Sequence, residues 1–264
     1  MRIITSVAVA LVVLAPRGAA QTRDQARIAF TVLAGYVMPA QLWTVDRQPV
    51  ADAPLPSDTV AIGRRIRPTL SFGFSGIYFP GDHLGYVGEA YLIGLGFEDS
   101  CSLVYASGST RNRQACANLD QAEKAATAVA LNGGLIYRVA SRSVISPYAR
   151  AAAGLLFSTQ SSVRTIGQFP SAATGELVDA VIYPDNGDSR ISPTGVLAIG
   201  FTSVVGKGYQ IRWELRDNIA AVRAVTAATA VDGTFPPTTN RIKHLISVNI
   251  GFDVVLERRR GRRY

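Results

Sequence analysis

The sequence predicts an all-β protein: an eight-stranded antiparallel up-and-down transmembrane β-barrel. Three observations carry the prediction. Eight stretches alternate apolar and polar residues at period two. The connections between those stretches alternate long and short. The chain opens on an export signal.

The signal is the first twenty residues, "MRIITSVAVALVVLAPRGAA". Arg2 is a minimal positive start, Ile3 to Ala15 is a short apolar run, and Gly18, Ala19 and Ala20 are small residues before a cut at Gln21. The apolar run is shorter than the roughly 20 residues that a spanning helix needs. Export places the chain in an oxidising compartment, where two cysteines, Cys101 and Cys116, are expected to form one disulfide. The bridge would close a loop of about 15 residues, worth on the order of 3 kcal/mol by chain entropy.

Composition agrees with a membrane destination. Of 264 residues, 48% are hydrophobic and 17% charged, against about 25% charged in soluble domains. The net charge is +8, but Arg258, Arg259, Arg260, Arg262 and Arg263 cluster at the C-terminal end. A basic excess gathered in a tail, without a basic and aromatic motif, argues against a nucleic-acid partner. The expected organisation is a signal over 1–20, a barrel over 21–257 and a basic tail over 258–264.

The predicted strands run over roughly 26–38, 67–79, 84–97, 127–139, 145–158, 192–205, 208–220 and 242–256. In "YQIRWELRDN", Tyr209, Ile211, Trp213 and Leu215 share one face, and Gln210, Arg212, Glu214 and Arg216 the other. The second strand sets Leu70, Phe72, Phe74 and Tyr78 against Thr69, Ser71, Gly73 and Ser75. The last sets Ile246, Val248, Ile250, Phe252 and Val254 against Ser247, Asn249, Gly251 and Asp253. At about 12 to 14 residues, these strands exceed the soluble mean of about 5–6 and suffice to cross a bilayer at a tilt.

Connections sort by length. "PGDH", "ASRSV" and the Gly206-Lys207 turn are short; the four others are long and carry Pro, Asp and the cysteine pair. In an up-and-down barrel alternate connections lie at opposite ends, so every long loop falls on one side of the membrane. Short periplasmic turns and longer extracellular loops mark outer-membrane barrels. A helical turn or two is expected at "NLDQAEKAAT", Asn118 to Thr127. Tyr36, Trp43, Tyr78, Phe79, Tyr86, Phe97, Tyr105, Tyr137, Tyr148, Phe157, Tyr209 and Trp213 are candidates for interfacial girdles.

The "GLLF" and "AIGF" strands, "RWELRDN" in the penultimate strand and the terminal "ISVNIGFDVVL" resemble the small outer-membrane β-barrel family of the OmpA and OmpW types. The resemblance spans the mature chain. It implies location in the bacterial outer membrane, contact with outer-membrane lipids, a monomer, and an extracellular ligand or partner at the long loops. It leaves no room for the peptidoglycan-binding domain of the OmpA type. The family often closes its last strand on an aromatic residue; here "ERRRGRRY" follows instead.

An eight-stranded barrel has an interior that its own side chains can fill. The candidate interior polar network is Asn132, Arg138, Arg150, Arg212, Glu214, Arg216, Asn249 and Asp253. Opposite charges confined together must pair, so the expected role is a structural or surface-interaction protein with a plugged lumen. The alternatives are a small-solute or hydrophobic-compound channel of the OmpW type and a soluble, lipocalin-like barrel with Trp213 and Leu215 inside. A lipid A-modifying enzyme needs a nucleophile beside a base. His83 falls in a turn, and His244 and Ser247 lie on opposite faces of one strand. No catalytic residue, cofactor or metal ligand is therefore expected.

Overall fold

The structure is a computed structural model that describes residues 27–52, 55–105, 110–120, 123–124, 126–141, 143–171, 174–184, 190–229 and 233–257. The signal expected over 1–20 and the basic tail over 258–264 lie outside the described residues.

Eight antiparallel strands close into a barrel. They are β1 (Arg27–Val37), β4 (Thr69–Phe79), β5 (Leu84–Gly94), β8 (Thr127–Arg138), β9 (Ile145–Ser158), β12 (Ile191–Gly206), β13 (Tyr209–Val225) and β14 (Thr238–Glu257). Each matches one predicted strand. β1 pairs with β4 on one side and β14 on the other, so the barrel has no free edge. From Val37 the register passes through Ser247, Arg216, Ala198, Arg150, Ile136 and Gly85 to the Phe79 end of β4, which pairs with Arg27. The seam thus closes ten residues from where it began, the stagger that tilts the strands against the barrel axis.

Alternation decides what each face meets. Phe74, Leu197, Ile199 and Leu215 point outward and are exposed, as are Trp213 and Val248. Their neighbours along the same strands, Ser75, Val196, Ala198, Glu214, Arg216 and Asn249, are buried inside. Water would not leave so many large apolar side chains uncovered; lipid does. The orientation excludes the soluble barrel, which required Trp213 and Leu215 within. No helix among the described residues is long and apolar enough to cross a membrane; the strands do the crossing.

Tyr36, Tyr78, Tyr86, Tyr137, Tyr209 and Trp213 are on the lipid face. Two of these rings are buttressed by neighbours, Trp213 against Phe201 and Tyr209 against Phe252. Trp43, Phe79, Phe97 and Tyr148 are instead buried, a correction to their girdle assignment. Phe79 and Tyr148 have the inward parity of their strands, and Trp43 and Phe97 lie above the barrel mouth. Gly208 turns β12 into β13 at φ +82, a left-handed conformation that glycine adopts without steric cost.

Three of the four long connections carry strands or a helix of their own. β2 (Ala40–Asp52), β3 (Leu55–Ile66), β6 (Phe97–Tyr105) and β7 (Glu123–Lys124) form a second sheet, and β10 (Thr165–Pro170) and β11 (Leu177–Tyr183) a hairpin. The helix, α1 (Thr110–Asp120), lies mostly before the segment expected to be helical: it includes Asn118, Leu119 and Asp120, while Glu123 and Lys124 form β7 and Thr127 opens β8. The disulfide Cys101–Cys116 joins β6 to α1.

Replacing Ile199, 61% exposed near the middle of β12, by arginine should destabilise the bilayer-folded protein by about 2–4 kcal/mol. Denaturant unfolding from lipid vesicles measures this; an unchanged midpoint would place the site in water.

Candidate functional site

The site is the barrel interior and the structure that covers its upper mouth. At its centre Glu89, inward on β5, accepts from three strands. Arg150 of β9 donates to Glu89 Oε2 at 2.8 Å, Arg216 of β13 to the same oxygen at 3.0 Å, and Asn132 of β8 to Oε1 at 2.9 Å. Arg150 also donates to Glu214 at 2.8 Å, and Glu214 accepts from the Tyr148 hydroxyl at 2.8 Å. Two carboxylates and two guanidinium groups therefore neutralise one another, with none of the four side chains more than 1% exposed.

Above this layer the Arg216 guanidinium lies 3.8 Å from the centre of the Tyr91 ring and donates to Asn218 at 2.6 Å. Tyr91 donates to Asn249 at 2.6 Å and meets Ser71 at 2.6 Å. Small residues leave this room. A Cβ at Gly35 would collide with Asn249 and Ser71, and one at Gly73 with the Tyr91 ring. Below the layer, Arg212 donates to Asp253 at 2.7 Å and stands 4.9 Å from the Tyr148 ring.

Asn132, Arg138, Arg150, Arg212, Glu214, Arg216, Asn249 and Asp253 are all buried. Asn132, Arg150, Glu214 and Arg216 meet at Glu89, Arg212 pairs with Asp253, and Asn249 joins the layer above. Arg138 is held apart, 3.5 Å over the Phe79 ring at the periplasmic end. Glu89 itself was missed. In "GYVGEAY" both faces of the strand are apolar apart from this residue, so period two gave no contrast. A lone carboxylate within an apolar strand was the available signal. Tyr91 and Tyr148 were missed for the related reason that each also fits an apolar or interfacial position; Asn218 and Ser247 have the polar parity of their strands but carry no charge that calls for a partner.

The mouth is covered by a head that ties all four long connections together. Arg64 of β3 donates to Asp99 of β6 at 2.8 Å and to the Arg164 carbonyl at 2.7 Å. Its guanidinium stands 5.5 Å from the Trp43 ring and 5.4 Å from that of Phe97. Trp43 donates its indole N–H to the Ser162 carbonyl at 2.9 Å, and the Ser162 hydroxyl donates to the Arg223 carbonyl at 2.7 Å. Buried Gln48 meets Tyr183 at 2.8 Å and Thr229 at 3.0 Å. At the rim, the hydrogen bond from Arg65 holds the Glu98 carboxyl below its usual range. Beneath the head lies a cavity of about 90 Å³, lined by Leu42, Ile66, Leu95, Phe97, Leu156 and Leu245 with serines at its edge.

Two other features lack catalytic geometry. His244 and Asp217 form a 2.7 Å contact on the outer face, while Ser247 is buried on the lumen side. His83 contacts the Arg138 carbonyl at 2.8 Å. Among the described residues no three His, Cys, Asp or Glu side chains group as metal ligands.

A closed barrel with an apolar belt outside and paired charges inside is a transmembrane β-barrel of the outer-membrane type. No family model matches the chain, and no curated protein matches it in sequence. Solved structures similar to it include the outer membrane protein OprG from Pseudomonas aeruginosa, at 10% identity over 88% of this chain and 97% of that one, with a TM-score of 0.49. Neisserial surface protein A is similar at 11% identity over 89% and 99%, with a TM-score of 0.40. Outer Membrane Protein W of E. coli is similar at 13% identity over 88% and 100%, with a TM-score of 0.33. At these identities the likeness is one of fold and assigns no function.

Glu89→Gln leaves two buried guanidinium groups sharing one carboxylate. It should lower stability by about 3–5 kcal/mol, the usual cost of breaking a buried pair from one side. Urea unfolding of the folded barrel reads this directly, and a loss under 1 kcal/mol would mean that water reaches the centre of the lumen.

Proposed function

We propose that the chain is a structural and surface-interaction protein of the outer membrane, with a lumen that does not conduct and a head that meets extracellular partners. The layer of Glu89, Arg150, Glu214 and Arg216 carries this reading. Its side chains bridge β5, β9 and β13 across the interior, and every charge in it has a counter-charge. A small ion crossing here would have to displace paired, fully buried groups. The head supports the second half of the reading. Its buried ties hold the loops in one shape, and a fixed surface binds with less ordering cost than mobile loops do. The barrel is proposed to act as a monomer surrounded by outer-membrane lipids, without a cofactor, metal or catalytic residue.

One observation favours a second reading, uptake or capture of a small apolar compound. The cavity under the head is mostly apolar. Beside it the β12–β13 register begins only at Thr194 and Ala220, so Ile191–Pro193 and the top of β13 do not pair with each other.

Planar-bilayer recording separates the two. The wild-type protein should give no steady conductance, and Arg216→Ala, which empties the centre of the layer, should introduce openings. Steady openings of the wild type would overturn the closed-lumen reading. Saturable quenching of tryptophan fluorescence in Trp213→Phe by an added brominated alkane, lost in Leu156→Arg, would favour the second.

A further inference from the structure

The periplasmic end of the lumen contains a second, smaller cavity of about 10 Å³, room for about one water-sized sphere. Arg27, Arg138, Arg212, Tyr148, Gln210 and Asp253 are among its lining residues. Arg138 and Arg212 thus both line a space whose lining holds one carboxylate. That carboxylate is engaged: both Asp253 oxygens accept from Arg212, at 3.1 and 3.2 Å from Nε and 2.7 Å from Nη2. The layer above has no carboxylate to spare, because Glu89 and Glu214 are held by Arg150 and Arg216.

Arg138 is the group left over. It is 5% exposed, one face is covered by the Phe79 ring at 3.5 Å, and it feels repulsion from Arg27 and Arg212 against the attraction of Asp82 and Asp253. Its Nε and Nη2, together with Nη1 of Arg212, are buried N–H groups without an acceptor among the described residues. A buried charge in that condition is costly unless something neutralises it. Water could accept from these donors but would leave the charge standing.

We propose that this cavity is an anion site that takes one monatomic anion of chloride's size between Arg138 and Arg212. The fit is one of size, donor count and sign. The space admits one small sphere, Arg138 of β8 and Arg212 of β13 both line it with donors that lack an acceptor, and one negative charge balances Arg138. The site lies below the ion-pair layer and does not depend on whether that layer conducts.

The test uses the full-length folded protein in an uncharged detergent, with the midpoint of its heat-dependent gel mobility measured in sodium chloride and in sodium gluconate at equal ionic strength. The wild type should unfold higher in chloride, by about 4 °C when chloride stands tenfold above its dissociation constant, and the gain should saturate. Arg138→Met should have equal midpoints in the two salts and should lie above the wild type in gluconate, because the repelled charge is gone. Equal wild-type midpoints in the two salts would overturn the site, and so would a chloride gain that persists in Arg138→Met. Should the variant fail to fold, wild-type crystals soaked in bromide decide. An anomalous peak within hydrogen-bond distance of Arg138 and Arg212 is expected, and its absence at full occupancy elsewhere in the lattice overturns the proposal.

Discussion

Closure of β1 against both β4 and β14 is the constraint from which the other features follow. Inside a bilayer an unpaired backbone amide has no water to turn to, so a sheet that crosses must bond to itself all the way round. Eight strands closed with a ten-residue stagger enclose a narrow interior. Whatever points inward is then out of reach of lipid. The charges on β5, β9, β13 and β14 are tolerated there because each meets an opposite charge or a ring, and glycines such as Gly35 and Gly73 provide the space in which they meet.

The same closure separates the molecule into two polar systems with different work. The lumen layer is compact, buried and almost entirely side chain to side chain. The head is built from backbone and side chain together. Arg64, Trp43 and Gln48 each reach carbonyls or hydroxyls on connections far away in sequence. Between them lies an apolar stratum that includes Val37, Ile93 and Leu245. The Cys101–Cys116 bridge acts wholly within the head and leaves the barrel wall untouched.

The barrel was legible because alternation at period two is a property of each strand taken alone, and because loop lengths sort by end. "YQIRWELRDN" admitted two orientations, and sorting by loop length chose the one observed. The interior residues with charge or amide side chains were legible for the same reason. Glu89 was not, since a strand apolar on both faces gives no inside and outside to compare. The head was not legible either. Its strands carry Pro, Asp and Gly at spacings that read as loop, and they are held by partners on other connections, such as Thr229 for Gln48 and Ser162 for Trp43. Local sequence cannot announce a partner more than a hundred residues away. The earlier position of α1 has a similar origin: "NLDQAEKAAT" has good helix formers, yet the helix takes only Asn118, Leu119 and Asp120 of it, and Glu123 and Lys124 pair with β6.

The route by which Glu89 is satisfied bears on how the molecule is made. Its partner Arg150 lies 61 residues along the chain and Arg216 lies 127, so neither bond can form early from a local hairpin. In an assembly intermediate with only its first four barrel strands in place, Glu89 would have Asn132 as a donor but neither of its counter-charges. Neutralising the charge at the centre of the lumen therefore waits on the arrival of β9 and β13, so the ion-pair layer belongs to the late part of assembly, when the barrel closes.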